Sequence, residues 1–195
     1  AFYTDDRGHT ISVHESGQYL FPGTGAVIEM GVGTGRGYSV NLPLFPYTGD
    51  DDYIEGFGQV VPPLIRAFNP DVLVAQLGID SYHRDPLTHL QMTTEGYIEV
   101  VRQLIELGLP LLALGGGGYD VNAVARAWTL VYGMLLDVEW PNILPPGFAR
   151  KHGVGHLRDE TSPEGPEELK VDIRRHLEAT VGEIRQQIFP IHGLK

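Results

Sequence analysis

The sequence predicts an α/β fold built on a mainly parallel sheet with helices against it, and three observations carry that expectation. Short apolar or β-branched runs alternate with segments of helical periodicity as far as Leu136, which is the pattern of right-handed βαβ units. One run, DVLVAQLG (71–78), is apolar almost without alternation, as strands covered on both faces of a parallel sheet are. Glycine-rich stretches follow two of the runs, where a chain turns tightly or approaches a ligand closely.

TISVH (10–14), β-branched and set between turn-rich segments, is the first expected strand. Between Glu15 and Gly37, seven glycines at 17, 23, 25, 31, 33, 35 and 37 rule out regular structure. YSVNLPL (38–44) is the second strand, closed by Pro43 and Pro46. Asp50, Asp51 and Asp52 offer cap and first-turn carboxylates to a helix ending near Phe68. Pro62 and Pro63 are expected to kink or split it. After the strand in 71–78, Thr93 or Thr94 caps the helix EGYIEVVRQLIELG, with Ile98, Val101, Ile105 and Leu109 at helical spacing and Gly108 as its stop. PLLALGGGG repeats the strand-into-glycine pattern, and Asp120 caps a helix over Val121 to Leu136. Proline, glycine and charge dominate from Asp137 to Pro166. Residues 166–189 then form an amphipathic helix with Leu169, Ile173, Leu177, Val181, Ile184 and Ile188 on one stripe.

Lys and Arg total 14 against 25 Asp and Glu in 195 residues, a net charge of −11. Nucleic acid is an unsuitable partner, because phosphate binding needs a concentrated basic face. With no cysteine, disulfides, zinc-thiolate sites and Cys nucleophiles are excluded, and any metal must use oxygen or imidazole. No apolar run approaches a membrane span, and AFYTDDRGHT shows no basic region followed by an apolar stretch. A soluble, cytoplasmic protein is expected. The chain opens on AFYTDD without an initiator Met, and a piece of something longer is expected.

Ligands of open α/β sheets bind outside the carboxyl ends of the strands, and three such ends carry chemistry here. They are Ser12-Val13-His14, Gly78-Ile79-Asp80-Ser81 and Gly115-Gly116-Gly117-Gly118-Tyr119, all expected along one edge. A carboxylate ending a buried strand needs a partner, so Asp80 is either a metal ligand or a helix-capping or turn residue. Four glycines before Tyr119 leave bare backbone beside one phenol, which is either an oxyanion-stabilising donor or a packed side chain after a flexible turn. A phosphate cradle is disfavoured: the run lacks a P-loop Lys-Ser/Thr, and GVGTGRG (31–37) precedes a strand instead of opening a helix. His9, His152, His156, His176 and His192 are expected at the surface, whereas His83 and His89 flank Asp85-Pro86 beside Asp80 and can reach a site mouth. No Ser-His-Asp or G-x-S-x-G arrangement is present.

AFYTDD, SVHESGQYLFPGTG, GYSVNLPL, NPDVLVAQLGIDSYHRDPLTHL and LPLLALGGGGYDVNAVARAW together resemble the histone deacetylase superfamily, most closely its bacterial acetoin utilization branch. The resemblance covers about residues 1–137 and implies an arginase-like three-layer α/β/α fold, here incomplete. It assigns 1–137 to the C-terminal half of the catalytic domain; 138–195, which it leaves uncovered, is expected to be an extension ending in a helix and packed on the same domain. It further implies a hydrolase acting on linear amides, removing acetyl groups from acetyl-lysine or a similar acetamide with one zinc ion. By that resemblance Asp80 is a zinc ligand and Tyr119 the catalytic phenol, while Phe21, Leu87 and Gly117 line the acyl tunnel. Ser12 and Val13 match backbone ligands of a potassium ion. Phe2, Asp5, Gly8 and Tyr38 match a second monovalent site for potassium or sodium. The family's Asp-x-His zinc ligands and its His-His dyad have no counterpart in this chain, so the chain alone is expected to be inactive. Its four strands make about half a sheet, whose apolar edge invites self-association. A non-catalytic acyl-lysine or partner-binding module is the alternative. An arginase-type manganese pair is disfavoured because Ser81 and Tyr82 follow Asp80 where a second bridging carboxylate is required.

Overall fold

The computed structural model describes residues 2–163 and 165–195; Ala1, the first residue of AFYTDD, and Glu164 lie outside the described residues. Four strands, β1 (Thr10–Glu15), β2 (Ser39–Leu44), β3 (Leu73–Gln76) and β4 (Leu111–Leu114), are joined and followed by α1 (Asp50–Phe68), α2 (Thr94–Ile105), α3 (Val121–Leu136), α4 (Pro146–His152) and α5 (Lys170–Gln187). All pairing is parallel. β1 runs beside β2 from Thr10↔Ser39 to Glu15↔Leu44, and β3 beside β4 from Leu73↔Leu111 to Gln76↔Leu114. β3, α2 and β4 form the expected βαβ unit. The link from β1 to β2 instead crosses over through the glycine-rich loop, whose regular structure is one 3-10 turn at Gly33–Gly35.

The two strand pairs share no ladder among the described residues, so the sheet is divided and not the single one expected. Between them lies an open groove of about 950 Å³, walled by β1 (Thr10 to Val13) and β3 (Leu73 to Gln76) and floored by Phe57 and Val61 of α1 and Tyr97 and Val101 of α2. The expectation that 71–78 is covered on both faces also fails. Ala75 and Leu77 are buried, but Val74 of β3 and Leu112 and Leu114 of β4 stand exposed on the other face. A run without alternation records which faces can be covered, and here nothing described covers the second.

α1 explains how the pieces hold together. Phe57, Val61 and Ile65 enter a core shared with β3, α2 and α3, whereas Val60 and Leu64 enter a second core with β2 and α5. The helix continues through Pro62 and Pro63, against the expected break. The proline rings forfeit hydrogen bonds, but burial on two sides offsets that loss. Its cap also differs: Gly49 occupies the N-cap, and Asp50 to Asp52 fill the first turn. Thr93 caps α2, its side chain accepting from the N–H groups of Glu95 and Gly96. Asp120 caps α3 through Asn122 and Ala123. In the patternless stretch, α4 begins with Pro146 at its first turn and ends at Gly153 in the left-handed conformation. α5 buries Ile173, Leu177, Val181 and Ile184 against α1 and β2. No helix among the described residues is long and apolar enough to cross a membrane.

Candidate functional site

The site begins where β3 ends. The Leu77 carbonyl accepts two hydrogen bonds, from Tyr97 Oη of α2 at 2.8 Å and Trp128 Nε1 of α3 at 2.9 Å, so both helices pin the strand terminus. Leu77 N–H still bonds to Leu114 O at 2.9 Å, and Ile79 N–H to Gly117 O at 2.7 Å. The β3 and β4 ends therefore stay paired into their loops. That pairing requires the glycines: a Cβ on Gly116 would lie 2.7 Å from Gly78 N, and one on Gly117 would overlap Asp80 Oδ2. Gly118 has φ +143°, in the region that favours glycine. The Asp80 carboxyl thus rests on the Gly117 backbone, two residues before Tyr119.

Asp80 is half-buried, and burial pushes its carboxyl above the usual range; its own backbone N–H works against that rise and the Asp85 charge adds to it. Thr88 Oγ1 donates to the Asp80 carbonyl at 2.7 Å. Tyr119 is 55 % exposed and its N–H donates to Asp85 Oδ2 at 2.8 Å. Phe21, in the β1–β2 loop, is 93 % exposed, and Leu87, in the β3–α2 loop, is also exposed. The β1 terminus is tied to this group through Glu15, 2 % exposed, whose carboxylate accepts from His89 N–H at 2.6 Å and pairs with His89 Nδ1 at 2.8 Å. The carboxyl ends of β1, β3 and β4 consequently face one side of the molecule.

Ser12 and Val13 lie on β1 at the groove wall. His14 Nε2 faces the Gly25 carbonyl at 3.1 Å, so it carries the proton, and Nδ1 accepts from Ser12 Oγ at 3.0 Å. Burial holds His14 below its ordinary pKa, opposed by the Gly25 bond and the Glu29 charge. Phe2, Asp5 and Gly8 share the loop before β1, with Gly8 against the Phe2 ring. The Asp5 carboxyl is engaged by Arg7 Nε at 3.0 Å and Nη2 at 2.6 Å, which pulls it down to about 2. The carbonyls of Phe2 and Tyr38 already accept from Asp5 and Thr10 N–H.

Among the described residues no three His, Asp or Glu side chains converge as a metal site. A zinc centre needs three protein ligands, so Asp80 by itself does not complete one. His83 Nδ1 is directed to Met92 O at 3.2 Å, and His89 Nδ1 is engaged by Glu15. His9 and His192, expected at the surface, instead stack at 4.8 Å. Sequence reasoning missed the residues that shape the site. Glu15 and Asp85 act through partners far along the chain, and the only local signal was a carboxylate at a strand end or before Pro86.

The chain matches the histone deacetylase domain over residues 1–135. It is 36 % identical over 186 residues to histone deacetylase 9 of Arabidopsis thaliana, covering 91 % of this chain and 44 % of that protein. It is 40 % identical over 156 residues to the acetoin utilization protein AcuC of Bacillus subtilis, covering 77 % and 40 % respectively. The crystal structure of a histone deacetylase homologue from Aquifex aeolicus superposes with a TM-score of 0.80 at 27 % identity, covering 92 % of this chain and 52 % of that one. A homologue complexed with SAHA gives 0.79 at 26 % identity. The chain spans about half the length of these relatives. Its parallel strands and helices are therefore an incomplete deacetylase-like α/β/α arrangement, and the chain belongs to the histone deacetylase family.

Proposed function

We propose that this segment is the C-terminal half of a zinc-dependent amidohydrolase that removes acetyl groups from acetyl-lysine or a similar acetamide. The supporting observation is the Asp80 carboxyl seated on the Gly117 backbone, two residues before Tyr119, which the glycine run leaves exposed. Tyr119 donates a hydrogen bond to the carbonyl oxygen as it gains charge, which a phenol does without being ionised. Phe21, Leu87 and Gly117 flank the acyl chain. Asp80 would supply one zinc ligand; the family's Asp-x-His pair and His-His dyad have no counterpart among these residues, so in this reading the segment is inactive alone. Ser12 and Val13, and separately Phe2, Asp5, Gly8 and Tyr38, hold structural monovalent cations in the same reading.

The test is deacetylation of an acetyl-lysine peptide by a full-length protein containing this segment. Tyr119→Phe is expected to lower kcat about 10²- to 10³-fold, the usual cost of one oxyanion donor. A rate near the parent's would refute the assignment of the phenol. A non-catalytic acyl-lysine module would instead bind the peptide without turnover in the full-length protein.

A further inference from the structure

Tyr119 follows four glycines, a stretch with no conformation of its own, so something outside the run must set where the phenol sits. The nearest candidate is Asp85, five residues beyond Asp80 on the opposing loop. Its side chain is 7 % exposed. Oδ2 accepts from Tyr119 N–H at 2.8 Å and Oδ1 from Leu87 N–H at 2.9 Å, while its own N–H closes a turn onto Tyr82 O at 2.8 Å. Among the described residues no Lys, Arg or His forms an ion pair with it. Burying a carboxylate without a cation is costly, and this one also repels charge on Asp80. The geometry it imposes is what that cost secures. A second tie, Arg84 to Asp120 at 3.5 Å, spans the same two loops.

We infer that Asp85 is a positioning residue for Tyr119, its buried carboxylate fastening the phenol-bearing backbone to the loop that carries Asp80 and Leu87. The inference rests on the deacetylase reading, and the experiment keeps the two apart. Parent, Asp85→Asn, Tyr119→Phe and the double variant of a full-length protein are assayed on an acetyl-lysine peptide. An amide keeps one acceptor and turns an NH2 toward the other donor. For Asp85→Asn, kcat is expected to fall about 10-fold or more with KM changed by less than about 2-fold. The double variant is expected to be no slower than Tyr119→Phe alone, because the bond to the Tyr119 N–H acts through the phenol and the Leu87 N–H keeps the amide's acceptor. Parent kinetics in Asp85→Asn, an equal loss in both backgrounds, or a loss confined to KM overturns the inference. Tyr119→Phe at the parent rate overturns the proposed function instead. Should Asp85→Asn not fold, hydrogen exchange on the unmutated chain decides. The Tyr119 amide is expected to exchange about 100-fold more slowly than an unstructured one, and unprotected exchange overturns the inference.

Discussion

Gly117 and His9 show how single positions set local chemistry. At Gly117 any side chain would occupy the space of the Asp80 carboxyl and force that carboxyl off the Gly117 backbone. Gly117→Ala is expected to destabilise the chain by about 1–3 kcal/mol through overpacking, read as a lower melting temperature. His9 stacks on His192 with ring planes 8° apart and meets Phe68 edge-on. Neither of its ring nitrogens has a hydrogen-bond partner among the described residues. Burial, helped by the His192 charge, pushes its pKa down to about 4. The unfolded chain therefore takes up the proton first, so the stability tied to a neutral His9 is whole above the ordinary histidine value and is lost as pH falls toward 4. Between pH 7 and 4.5 that loss is about 2 kcal/mol. His9→Phe should show a shallower decline of melting temperature over this interval, and an unchanged decline would exclude the mechanism.

Among the elements, the connection from β3 to α2 is the most heavily restrained, by carboxylates from four places in the chain. Glu15 takes His89, Asp50 takes Thr93 N–H and Oγ1, Asp85 takes Leu87 N–H, and Asp159 takes Thr94 N–H and Tyr82 Oη. Asp159 is itself paired with Arg126, 3 % exposed, at 2.9 Å. Burial would raise the Asp159 carboxyl, yet the Thr94 and Arg126 bonds hold it below the usual range. Arg126→Ala strands that charge and is expected to cost about 3–5 kcal/mol, lowering the midpoint by ~10 °C in a chain of this size. These restraints also mark the limit of what the sequence discloses. Caps such as Thr93 and Asp120 were legible because capping is a local bond with a fixed offset, and α5 because its stripe repeats at helical spacing. Glu15, Asp85 and Asp159 reach partners 74, 34 and 65 residues away, for which no spacing rule exists. Pro62 and Pro63 were misjudged for a related reason, since propensity does not register a helix packed between two cores. Asp80 and Tyr119 stood out only because each closes a strand-and-glycine pattern.

On the scale of the whole molecule, β1 and β3 each present an unpaired edge to the groove, and such edges recruit further strands. The isolated chain is accordingly expected to self-associate, with a sedimentation mass near twice 21.5 kDa. Because each copy carries a net charge of −11, added salt should strengthen the association by screening repulsion. A monomer at every ionic strength would show that the edges are protected. Phe21 and Leu87 stand outside both cores, and the bonds that shape their loops are made by main-chain amides and carboxylates such as Glu29 and Asp85, not by these two side chains. Those two exposed positions can therefore be recoloured by mutation almost independently of foldedness, and in the proposed acetamide-cleaving reading that separation lets a lineage change what is admitted while the scaffold beneath stays constant.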